Sequence, residues 1–134
     1  MPKVVINDSQ GLVQSTGNGF TLGSKLILER QTVVADGSTQ GDATLIAGNA
    51  PLIVVTGGNG AKGVKLPAVA GLDAGTTFLI QNYASGALEV YPATGDRVFP
   101  AGNNAGITVA AYGYLQVTVI DADGWVGNEG VIAA

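Results

Sequence analysis

The chain reads as an all-β protein, an antiparallel, jelly-roll-like β-sandwich preceded by an extended N-terminal arm. Three observations predict this. Short runs rich in β-branched and aromatic residues are fenced by Gly, Pro, Asn or Asp, the signature of strands closed by turns. These runs recur roughly every 8–12 residues with no helical segment between them, which favours a sandwich or barrel over βαβ units. The longest run, Tyr112 to Ile120, alternates with a period of two, as a half-buried strand must.

Taken in order, Lys3–Ile6 forms a short strand, Asn7-Asp8-Ser9 a turn, and Gly11–Gln14 a second strand. Ser15–Gly19 breaks the chain. Ser24 to Ala35 is long and free of Gly and Pro. Its apolar residues fit neither one helical face nor a clean alternation. Their β-branched content favours two strands, Lys25–Glu29 and Gln31–Val34. Asp36–Asp42 is a loop and the expected boundary, which leaves residues 1–35 as arm and leading strands and 36–134 as the sandwich body.

Within the body, Ala43–Ile46 and Pro51–Val55 are strands, with a Gly-rich turn over Thr56–Lys62. Gly63–Leu66, Thr76–Asn82, Ala87–Tyr91, Arg97–Phe99, Gly106–Ala110, Tyr112–Ile120 and Trp125–Val126 follow, and Gly130–Ile132 closes the series. From Gly63 to Trp125 the pattern is a meander. The links at Tyr83–Ala87 and Asp121–Gly124 have hairpin length. Eight or more strands suit two stacked sheets. The expected core is Val54, Leu66, Phe78, Ile80, Leu88, Val90, Leu115, Val117 and Val119. Phe78, Leu79 and Ile80 read as a strand buried on both sides.

Composition bounds the chemistry. The 134 residues make one domain, long enough to bury roughly two-thirds of the unfolded surface. The chain has no cysteine, so disulfides, thiolate metal sites and catalytic thiols are excluded. It has no histidine, which removes the commonest general base and metal ligand. Charged residues make up 12% of the chain, about half the usual share of roughly 25%. Glycine, at 21 residues, is well above its usual frequency of roughly 7%. Either many tight turns or a surface lying against other chains accounts for this. The net charge is −4, and Lys3, Lys25, Arg30, Lys62, Lys65 and Arg97 form no basic stripe. Direct nucleic-acid binding is not expected. No apolar run approaches the ~20 residues of a membrane span, and the start lacks the features of a signal peptide. The protein is expected to begin near Met1 and remain in the cytoplasm where it is made, or be assembled there.

Four motifs invite chemistry and fail in context. Gly58-Asn59-Gly60-Ala61-Lys62-Gly63 spells a dinucleotide fingerprint after a strand, but Val64-Lys65-Leu66-Pro67 follows where a helix is required. It is not a phosphate-binding Walker loop, because Lys62 precedes Gly63 instead of Ser or Thr. Asp121 and Asp123 have calcium-loop spacing but lack further ligands at fixed offsets, so a tight turn is the better reading. Glu89 and Asp96 as a hydrolytic pair give way to an exposed strand residue and a local turn cap. Neither cofactor nor metal is expected, and no catalytic residue. Trp125 either closes one end of the core or anchors a subunit contact.

Several of these runs together resemble a known family. Val64-Lys65-Leu66-Pro67, Gly75-Thr76-Thr77-Phe78-Leu79-Ile80-Gln81-Asn82, Leu88-Glu89-Val90-Tyr91-Pro92-Ala93-Thr94-Gly95-Asp96 and Gly124-Trp125 stand in this order. The series is similar to a small β domain of structural proteins of tailed bacteriophages, as in capsid decoration (cement) proteins and virion appendages. The resemblance covers roughly residues 36–126, and Tyr91–Asp96 is its most specific part. It implies a virion protein made in the host cytoplasm that sits on the capsid exterior. Its partners would be the major capsid protein and copies of itself, as a dimer or trimer, with no direct nucleic-acid or membrane contact. It brings no catalytic residues. The candidate interface is Lys3, Val4, Val5, Ile6, Leu12 and Val13 in the arm, with Tyr112, Tyr114 and Trp125 in the body. The alternative is a tail-fibre or head-fibre module that stacks sugars on Trp125, Tyr83, Tyr112 or Tyr114.

Overall fold

The computed structural model describes residues 4–7, 11–14, 23–122 and 124–130. The fold is all-β, with a single 3-10 turn at Val69–Gly71 as its only helical piece among the described residues. Strands β1 (Val4–Asn7) and β2 (Gly11–Gln14) pair antiparallel as a two-stranded sheet, with Val5 opposite Val13 and Ile6 opposite Leu12. The expected turn between them falls at 8–10, outside the described residues.

The body opens with strands that alternate between two sheets. Strands β3 (Arg30–Val34), β5 (Leu52–Thr56) and β7 (Thr77–Asn82) lie side by side and parallel in one sheet. Strands β4 (Thr44–Leu45), β6 (Gly63–Lys65) and β8 (Leu88–Tyr91) do the same in the other. Each pair β3–β4, β5–β6 and β7–β8 is therefore one coil of a short β-solenoid. Pairing carries Arg30 onto Leu52 and Leu52 onto Leu79.

Four more strands close the far end. These are β9 (Arg97–Phe99), β10 (Ile107–Val109), β11 (Tyr114–Asp121) and β12 (Gly124–Gly130). β11 runs antiparallel to both β7 and β12, β9 runs parallel to β12, and β10 runs antiparallel to β8. The result is a six-stranded sheet, β3-β5-β7-β11-β12-β9, facing a four-stranded sheet, β10-β8-β6-β4.

Two stacked sheets were expected and are present, but the jelly-roll connectivity is not. The link at Tyr83–Ala87 has hairpin length yet joins strands in different sheets. It is a solenoid corner. Asn82 makes it one: this wholly buried side chain donates from Nδ2 to the carbonyls of Gly86 (2.9 Å), Val109 (3.3 Å) and Ala110 (3.0 Å). Its Oδ1 accepts the Ala84 N–H at 3.2 Å. These bonds hold the chain where it leaves β7, whose two sides are taken by β5 and β11. The Asp121–Gly124 link does form the expected hairpin, between β11 and β12.

Three further expectations change. Residues 25–29 form no strand and are exposed, and Arg30–Val34 alone pairs, although it precedes the expected boundary at Asp36. The strand expected at Trp125–Val126 runs on as β12 to Gly130, and 131–132 of the strand expected at Gly130–Ile132 lie outside the described residues. In β5 the pleat is shifted by one: Ile53 and Val55 are buried and Val54 is half-buried. Parallel pairing with β7 sets this, placing Ile53 beside buried Ile80 and Val54 beside Gln81.

The core is otherwise as the alternation predicts. Leu66, Phe78, Ile80, Leu88, Val90, Leu115, Val117 and Val119 are all buried. Leu79 is half-buried, so β7 has one core face and one partly covered face. The core also takes Ile46, Val64, Val98, Val109 and Trp125.

Candidate functional site

The residues that carry the phage-like pattern are spent on architecture. Tyr91 lies across two glycines. A Cβ on Gly63 would stand 2.8 Å from its ring, and one on Gly106 would stand 2.9 Å from it. Its hydroxyl donates to the Ser38 carbonyl at 3.3 Å. The turn that follows is fixed by Asp96, whose buried carboxylate accepts the Val69 N–H at 3.0 Å. Gly95, at φ +92°, donates its N–H to Asn104 Oδ1 at 2.7 Å. Gln40 ties the same turn down by donating to the Pro92 carbonyl (2.9 Å) and to Asn104 Oδ1 (3.1 Å). In Gly124-Trp125, a Cβ on Gly124 would meet the Phe99 ring at 2.8 Å, so the glycine admits that ring beside the strand.

Trp125 is fully buried and packs on Phe78 with ring centroids 5.6 Å apart. It belongs to the core and is not an interface residue. Its place on β12 opposite Val119 and Val98 turns it inward, which makes it unavailable for sugar stacking as well. Tyr112 and Tyr114 are exposed, as is Tyr83. Tyr114 covers Gly130, where a Cβ would lie 2.6 Å from its ring. Tyr112 holds φ +57° in the turn before β11. Of the arm residues, Val4, Val5, Ile6, Leu12 and Val13 lie on the paired strands β1 and β2, and Lys3 lies outside the described residues.

The chemical motifs resolve as turns or local contacts. The Gly58–Gly63 run links β5 to β6 in the absence of a helix, with Gly60 at φ +85°. Glu89 accepts a short hydrogen bond from the Thr108 hydroxyl, whereas Asp96 is occupied by the Val69 amide. Asp123 lies outside the described residues. Among the described residues no three His, Cys, Asp or Glu side chains are grouped to hold a metal ion. Two carboxylates are held below their usual range. The Lys62 ammonium does this for Asp36, first by its hydrogen bond. The Thr39 hydroxyl and N–H do it for Asp42. Both shape the exposed 36–42 loop, whose Gly37 (φ +71°) has no space for a Cβ.

What remains as a site is a surface. On the outer face of the six-stranded sheet, register aligns Arg30, Leu52, Leu79, Gln116 and Asn128 in one row. Thr32, Val54, Gln81, Tyr114 and Gly130 form a second row, and Thr77, Thr118, Val126 and Phe99 a third. The Thr77 and Thr118 hydroxyls bond each other at 2.9 Å. These three rows contain no carboxylate; the next row, Asp121, Gly124 and Arg97, does, with Asp121 Oδ1 3.0 Å from where a Gly124 Cβ would stand. Six strands at ~4.8 Å spacing and some six residues at ~3.3 Å give a face of roughly 500 Å². No single residue type in the sequence marks this face. It is found only when strand partners are known, since Leu79, Gln116 and Asn128 are far apart in the chain. A scan against models of protein families finds no match to this chain, and a search of curated proteins finds none either.

Proposed function

We propose that this chain is a structural virion protein of the tailed-phage kind, which binds the outer surface of an assembled capsid and stabilises contacts between major capsid subunits. Three adjacent rows of neutral and apolar side chains on the outer face of the six-stranded sheet, with Arg30 at one end and no carboxylate among them, carry this reading. Half-buried Leu52, Val54 and Leu79 among Thr, Gln and Asn side chains suit a contact that is dry at its centre and hydrogen-bonded around it.

A face of roughly 500 Å² falls short of the ~800 Å² per partner of a standard stable interface. A single copy would bind weakly. A lattice that presents the same site many times converts weak contacts into firm attachment, above all when copies are joined to each other. The ordered-motif resemblance points the same way. Its partners are then the major capsid protein and its own copies, and its place is the capsid exterior.

Co-sedimentation with assembled heads of the phage that encodes the chain tests this. Saturable pelleting with heads supports it, and binding confined to tail or baseplate components refutes it.

One observation favours a second reading, a head-fibre or tail-fibre module. Parallel coils ending in the one-sided strands β3 and β4 resemble a section of a longer solenoid. Exposed Tyr83, Tyr112 and Tyr114 would then be the sugar-contacting aromatics. Saturable glycan binding without head binding would favour this reading.

A further inference from the structure

We propose that β3 is a self-association edge: two copies pair their β3 strands antiparallel about a two-fold axis at Thr32, joining two six-stranded sheets into one. The proposal stands independently of capsid binding.

Among the described residues β3 is the outermost strand of its sheet and bonds only to β5. The Ala35 N–H donates to the Thr56 carbonyl at 2.8 Å, and the Glu29 carbonyl accepts the Leu52 N–H at 3.2 Å. Strand alternation therefore turns the odd-numbered residues' backbone groups toward β5. The N–H and C=O of Arg30, Thr32 and Val34 point the other way, into the space beyond the sheet.

Natural sheets blunt such edges with lysine, proline, bulges or short length. β3 has no lysine, proline or bulge, and its one charged side chain is Arg30 at its start. It runs for five residues, Arg-Gln-Thr-Val-Val, while the other edge strands β9, β10 and β4 have three, three and two. Apolar surface gathers at the same end of the solenoid. Leu26, Ile27 and Leu28 lead into β3 at 66%, 78% and 43% exposure, and Val34 and Leu45 of the first coil are 64% and 60% exposed. Every exposed leucine among the described residues lies here.

The occupant that fits is a second copy, because the strand is complementary to itself. Centring on Thr32 places Arg30 opposite Val34 of the second copy and Thr32 opposite its own counterpart. About six main-chain hydrogen bonds form. The two Arg30 side chains stand four residues apart, ~13 Å at the usual rise, beyond the ~8 Å screening length of physiological salt. No like charges meet. An isologous two-fold contact is also the commonest form of self-association.

The edge can be tested without disturbing the fold. Thr32→Pro removes an N–H that takes no part in the β3–β5 ladder, and proline is tolerated at an outward edge position. Val34→Lys adds a gatekeeper charge. Sedimentation equilibrium should show a dimer for the parent chain. Both variants should weaken it at least 100-fold at unchanged circular dichroism. Thr32→Cys, the only thiol in the chain, should cross-link copies under mild oxidation, because paired Cα atoms at ~5.5 Å lie within disulfide reach. Gln116→Cys should not. A monomer at 100 µM or a trimer would overturn the proposal. So would a dimer indifferent to Thr32→Pro and Val34→Lys.

Discussion

Asn82 offers the sharpest test of the solenoid corner. Its side chain is fully buried and engages four main-chain groups: the carbonyls of Gly86, Val109 and Ala110 and the N–H of Ala84. A net hydrogen bond is worth about 1 kcal/mol, and a buried group left unpaired costs about 1–3 kcal/mol. Only the bond to Val109 is fully enclosed, and water can reach the other acceptors in part. Asn82→Ala should therefore lose about 2–4 kcal/mol of unfolding free energy. Asn82→Asp should lose more at pH 7, because a carboxylate then faces three carbonyl oxygens. Relative to the parent at the same pH, that variant should recover part of its loss near pH 4, where the protonated acid donates again. Urea denaturation of the three proteins at both pH values reads this directly. A loss below 0.5 kcal/mol for Asn82→Ala, or an Asp variant as stable as the parent, would refute the corner's dependence on Asn82.

Other expectations concern the core, the turn and pH. Phe78→Ala, at the ring contact with Trp125, should cost about 3–5 kcal/mol and change tryptophan fluorescence in the native state. Gly63→Ala should destabilise by at least about 1 kcal/mol, since its Cβ would press on the Tyr91 ring; thermal melts of Gly63→Ala with and without Tyr91→Ala should show coupling between the two sites. Asp36 and Asp42 have folded-state pKa values below their usual ones. Their contribution is present above the unfolded carboxylate range and is lost as pH falls through the lower folded values. With no histidine in the chain, thermal stability should stay nearly level from about pH 5 to 7 and decline below about pH 4.

Much of the strand pattern was legible because local rules apply equally to a sandwich and a solenoid. Alternation in Tyr114–Asp121 places Leu115, Val117 and Val119 inward whatever lies beside them. What alternation cannot report is the neighbour. Tyr83–Ala87 has the length of a hairpin, and only Asn82's reach to Val109 and Ala110 makes it a corner between sheets. The coils are unequal, so no internal repeat betrayed them. Parallel pairing also sets the phase of β5, where the unbroken apolar run Leu52–Val55 offers no alternation to choose Ile53 over the expected Val54. For Trp125 the sequence leaves core closure and a subunit contact both open, and its register opposite Val119 and Val98 decides for the core. The outer face depends on all these pairings together, which is why no local motif announces it.

The central claim is that this outer face docks the chain onto a capsid lattice. Leu79→Lys with Gln116→Lys places two adjacent cations in the middle row, where the parent residues are paired in register and face outward. The measurement is co-sedimentation of the parent and the double variant with assembled heads, alongside thermal melts of both. The account predicts that the parent pellets with heads and that the variant stays in the supernatant while melting within a few degrees of the parent. A well-folded variant that pellets as fully as the parent would contradict it.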